Sequence, residues 1–125
     1  LSLFLKNNVK KYVLLNVSSA FHSKFMLEAE EELSSEIEKL NFRANDINII
    51  SNYTSEISNN NLIIKNLLKK QMSNKVRWVE SIKKLEEIGE KTIIEIGPNK
   101  VLSGLINRIS KNFDIKSINE ISELN

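Results

Sequence analysis

The sequence predicts an α/β fold with parallel strand pairing, and three observations carry that prediction. Short apolar runs, YVLLN (12–16), INIIS (47–51), the β-branched TIIEI (92–96) and the stretch 113–118, read as strands. Between them lie segments whose apolar residues recur every three or four positions, as amphipathic helices require. The two kinds alternate along the chain: strand, helix, strand, helices, strand, helix, strand. That order belongs to layered α/β architecture with right-handed crossovers.

Each element has its own signals. Residues 1–9 read as the end of a helix, with Leu1, Phe4 and Leu5 on one face, and 12–16 as a buried strand. Residues 17–22 read as a loop. Ser23 is placed to cap a helix over 24–40, along which Phe25, Met26, Ala29, Leu33, Ile37 and Leu40 form the apolar stripe. The intervening Glu28, Glu30, Glu31, Glu32, Glu36 and Glu38 are assigned to its solvated face. The polar stretch 52–61 is expected to be a loop. A helix over 62–70 is separated by a break near Ser73 and Asn74 from another carrying Val79, Ile82, Leu85 and Ile88 on one side. Gly89 ends that helix as a C-terminal cap. Trp78 is expected in the core or half-buried. After strand 92–96, Gly97 allows a sharp turn and Pro98 suits the first turn of a helix running to about residue 111.

Composition bounds the function. The 125 residues are 41% hydrophobic and 27% charged, enough for one compact soluble domain. No apolar run approaches the length that crosses a bilayer, and no basic-then-apolar leader is visible, so no membrane association is expected. Cysteine is absent, which excludes disulfides and thiolate metal sites from these residues and makes a reducing cytoplasm the default location. A net charge of +2, scattered in sign, argues against a nucleic-acid partner. The sequence opens at Leu1 inside an apolar stretch, which leads us to expect a piece of a longer chain.

Candidate chemistry is sparse. His22 is the only histidine, and it lies in a short loop between a strand and a helix, where a catalytic side chain is well served. Alone, a single histidine is more often a surface or hydrogen-bonded structural residue than a catalytic one. An acyltransferase or serine hydrolase needs a nucleophile on a strained G-x-S-x-G turn, and no such stretch occurs. Ser103 lies inside a helical pattern, Ser18 and Ser19 lack the glycines, and Ser23 is a cap. Glu95, just before Gly97, is read as a structural hydrogen-bonding partner of the turn. The turn Gly97-Pro98-Asn99 offers amides to an anion but reads more simply as a strand-to-helix connection.

Three segments together resemble one family. VSSAFHSKFM (17–26) resembles the active-site histidine segment of malonyl-CoA:acyl carrier protein transacylases. LLKKQMSNKVRWVESI (67–82) is similar to the family's glutamine, asparagine-x-valine and tryptophan segment. IIEIGPNKVLSGLINRI (93–109) is similar to its strand, Gly-Pro turn and following helix. They occur in the family's order, and the similarity extends over nearly all of the chain.

The resemblance implies an α/β fold, the C-terminal part of an α/β hydrolase-like large acyltransferase subdomain (17–125), preceded by the last helix and strand of a ferredoxin-like small subdomain (1–16). It implies that the G-H-S-x-G elbow, an oxyanion-hole glutamine and a malonyl-binding arginine lie upstream, and that these residues alone are inactive. It gives His22 the role of general base and the main-chain carbonyl of Gln71 that of orienting its imidazole. Phe21 becomes a substrate-binding residue, because Ala20-Phe21-His22 is similar to the malonyl version of the motif in polyketide-synthase acyltransferases, where methylmalonyl enzymes carry serine. The implied partners are malonyl-CoA and acyl carrier protein, in fatty-acid synthesis, with no cofactor. Two other readings stay open: an acyltransferase piece of a polyketide synthase, and a non-catalytic α/β interaction domain.

Overall fold

A computed structural model describes residues 18–124. The helix end expected over 1–9, the strand over 12–16 and the whole 1–16 subdomain segment lie outside the described residues. The elements are helix α1 (Leu27–Lys39), strands β1 (Ile49–Ile50) and β2 (Ile57–Ser58), helices α2 (Asn61–Lys70) and α3 (Trp78–Glu87), strand β3 (Thr92–Ile96), helix α4 (Val101–Ile109) and strand β4 (Asp114–Ile118). The mixed α/β class is as the sequence predicts.

The parallel pairing holds for one sheet. β3 and β4 run parallel in register from Thr92↔Asp114 to Ile96↔Ile118, joined through α4 as a β-α-β unit. The other pair corrects the expectation. The 47–51 strand shrinks to Ile49–Ile50 and pairs antiparallel with Ile57–Ser58, inside the stretch expected to be loop. Ile57 is the one apolar residue between Tyr53 and Leu62, so no two-residue alternation announces the strand.

Helix ends follow local chemistry. Ser23 does cap, but its hydroxyl accepts the Phe25 N–H of a short 3₁₀ turn (Lys24–Met26) that precedes α1. The Asn60 side chain accepts the N–H groups of Leu62 and Ile63 at the start of α2. α3 ends as expected at Gly89. With φ 87°, Gly89 donates to the Glu86 carbonyl, and Glu90 donates to the Leu85 carbonyl, so two otherwise open carbonyls are satisfied. α4 starts at Val101, not Pro98, and ends at Ile109, short of 111. Gly97 (φ 141°) and Asn99 (φ 73°) bend the backbone away from helical geometry on both sides of Pro98 and delay the helix by a turn.

The core forms where α3 and α4 meet the β3–β4 sheet. Ile82, Ile106 and Phe113 are buried there, with Trp78, Leu85, Ile93, Ile109 and Ile115 packed around them. α1 lies against α2, whose Ile64 is buried, and Lys65 donates to the Glu38 and Leu40 carbonyls that close the C-terminal end of α1. No helix among the described residues is long and apolar enough to cross a membrane.

Candidate active site

His22 sits in a tight turn just before the 3₁₀ segment that leads into α1. Its backbone has φ 64°, a conformation rare for a residue with a side chain. The turn is pinned on one side by Ser23, whose hydroxyl donates to the Ala20 carbonyl at 2.7 Å. On the other side the His22 N–H donates to the Met72 carbonyl at 2.8 Å.

The imidazole is held by the same stretch of chain. His22 Nδ1 lies 3.1 Å from the Gln71 carbonyl and 3.1 Å from the Asn74 carbonyl. A carbonyl oxygen only accepts, so Nδ1 carries a proton, and in the neutral tautomer the lone pair is on Nε2. Nε2 has no hydrogen-bond partner among the described residues, and the side chain is exposed. The arrangement leaves one ring nitrogen free and holds the other between two neutral dipoles. Such dipoles fix the tautomer and stabilise imidazolium less than a carboxylate does.

The clamp is the turn 71–74, which leaves α2 at Gln71. The Asn74 side chain donates to the Lys70 carbonyl at 2.8 Å and to the Ser73 hydroxyl at 3.1 Å, which closes the turn on itself. Phe21 is 54% exposed, with its ring centroid 6.4 Å from that of His22. It borders an apolar hollow with Leu33, Ile37, Leu40, Phe42 and Met72.

Glu95 is buried in β3. Its carboxylate accepts the N–H groups of Leu102 (2.9 Å) and Ser103 (2.8 Å) and the Ser103 hydroxyl. The hydrogen bond from the Ser103 hydroxyl, with those two amides, holds this carboxyl below the usual carboxylate range. Its partners are therefore the start of α4, not the Gly97 turn. Glu95 thus occupies the Leu102 and Ser103 amides and the Ser103 hydroxyl.

No family model matches the chain. The malonyl CoA-acyl carrier protein transacylase of Bacillus subtilis strain 168 is 38% identical over 106 residues, covering 85% of this chain and 33% of the relative. The crystal structure of the Synechocystis sp. PCC 6803 malonyl-CoA:ACP transacylase superposes with a TM-score of 0.89 at 33% identity, over 99% of this chain and 43% of that one. The chain is a homologue of the malonyl-CoA:acyl carrier protein transacylases. It spans under half the length of these relatives. The B. subtilis polyketide biosynthesis protein PksE is also similar, at 42% identity over 102 residues, 82% of this chain and 13% of that protein.

Of the site residues expected for a transacylase homologue, His22, the Gln71 carbonyl and Phe21 all lie together at the mouth of α1 and α2. Three contacts were missed. The carbonyls of Met72 and Asn74 leave no side-chain signature. Glu30 was assigned to the solvated face of α1 and is instead 3% exposed. The helical spacing Met26, Glu30, Leu33, Ile37 places it on the apolar stripe, and that spacing was the available signal.

Proposed function

We propose that the chain is the C-terminal part of an acyltransferase domain that moves a malonyl group from malonyl-CoA to the phosphopantetheine thiol of acyl carrier protein, in the cytoplasm. The observation that carries this reading is His22 clamped at Nδ1 by two carbonyls with Nε2 open. In this reading a serine outside the 125 residues is the nucleophile, since these contain no G-x-S-x-G. Nε2 takes the serine proton as Oγ attacks the thioester carbonyl, and returns it to the departing CoA sulfur as the malonyl ester forms. The carrier-protein thiol then attacks the ester, giving its proton to Nε2, and the imidazolium returns that proton to the serine oxygen. Phe21 fills the space that an α-methyl group would take, a preference worth about 1–3 kcal/mol.

Incubation with radiolabelled malonyl-CoA tests the proposal. The complete enzyme takes up ester-linked label and passes it to holo-acyl carrier protein, while the 125-residue chain alone stays unlabelled. A complete enzyme that never labels would overturn the function, and label on the isolated chain would overturn the place of the nucleophile. The likeness to PksE favours a second reading, malonyl transfer in polyketide synthesis. Transfer only to a polyketide carrier protein, and not to the fatty-acid one, would select it.

A further inference from the structure

The geometry points to Glu30 as a positioning residue for His22. This rests on the reading of His22 as the base. The turn 71–74 that orients the imidazole belongs to no helix or strand, so no regular hydrogen-bond ladder aims its carbonyls. Glu30, on α1, reaches into it. Its Oε2 accepts the Ser73 N–H at 2.8 Å, and its Oε1 lies 3.6 Å from the Lys70 ammonium. Ser73 stands between Met72, which accepts the His22 N–H, and Asn74, which accepts the ring.

The contacts close a ring. His22 enters the 3₁₀ segment and then α1, one helical turn of α1 carries the chain to Glu30, and Glu30 grips the turn that grips His22. One carboxylate thereby holds the middle of the turn, at the Ser73 N–H between the residues that accept from His22. Burial pushes the Glu30 carboxyl up, but the Ser73 hydrogen bonds and the Lys70 charge outweigh that and hold it below the ordinary range, so the acceptor is ionised at neutral pH. Without it, the Ser73 N–H is left unsatisfied beside the clamp, and the turn loses the α1 side chain that holds it.

The test is made in the complete enzyme carrying this sequence. Glu30→Ala should lower the single-turnover acylation rate by up to about 100-fold while leaving the KM for malonyl-CoA unchanged, because the base is displaced but the substrate is still held. Glu30→Gln should restore most of the rate, since its amide oxygen still accepts from Ser73. Equal loss in both variants, or a rate in Glu30→Ala equal to the unmodified enzyme, would overturn the inference. His22→Ala run alongside separates the two levels. If that variant is slow and Glu30→Ala is not, only the positioning role fails; if His22→Ala acylates normally, the base assignment fails. Should Glu30→Ala not fold, amide exchange in the unmodified enzyme decides: a protected Ser73 N–H is required, and exchange at the unprotected rate would contradict the role.

Discussion

At the scale of single residues, the site depends on atoms that a sequence does not display. The His22 side chain can be picked out because it is the only histidine, and Gln71 because of the motif around it. The acceptors at Met72 and Asn74 are backbone oxygens, and any residue type supplies those. Phe21 makes a separate prediction. In the complete enzyme, Phe21→Ser opens the volume beside His22 and should raise the ratio of kcat/KM for methylmalonyl-CoA over malonyl-CoA by roughly 10-fold or more, the worth of one methyl group in a filled pocket. Competition between the two substrates measures it, and an unchanged ratio would remove Phe21 from the specificity role.

At the scale of elements, α4 shows how a strand can cap a helix. Lys100, at the N-cap position, makes no side-chain cap bond, and the Glu95 carboxylate in β3 accepts the second and third helical N–H groups in its place. The folded-state carboxyl lies below its ordinary value, so the unfolded chain binds the proton first as pH falls. The stabilisation is therefore complete above the ordinary carboxylate range and is lost as pH drops through and below it. Thermal melting of the complete enzyme should hold steady from neutrality to about pH 5 and fall below it, with a shallower fall in Glu95→Gln. An identical acid limb in that variant would deny Glu95 the role. The core beneath α4 is a plainer case: Ile106→Ala should cost about 2–5 kcal/mol by denaturant unfolding, because a fully buried side chain leaves a cavity. The long apolar periodicities of α1, α3 and α4 and the β-branched run of β3 were legible because packing on one face repeats a pattern many times. β2 was not, since two residues repeat nothing. The start of α4 was misplaced because Pro98 is compatible with a first helical turn, and the positive φ at Asn99 has no strong sequence mark.

At the scale of the molecule, the described residues leave an apolar sheet face open. The outer side of β3 presents Ile94 and Ile96, 53% and 78% exposed, as an apolar sheet face. The isolated chain should therefore self-associate in sedimentation at micromolar concentration, and a sharp cooperative thermal transition in a monomer would contradict this. The central claim is that His22, oriented through the 71–74 turn, is the base of a malonyl transfer. Its most direct test is a pair of measurements on His22→Ala in the complete enzyme, circular-dichroism melting and single-turnover acylation. The account predicts an unchanged melting transition with acylation slowed by about 10²–10⁴-fold, or more where base and nucleophile act together. A variant that melts early yet acylates at the normal rate while folded would show His22 to be structural and contradict the mechanism.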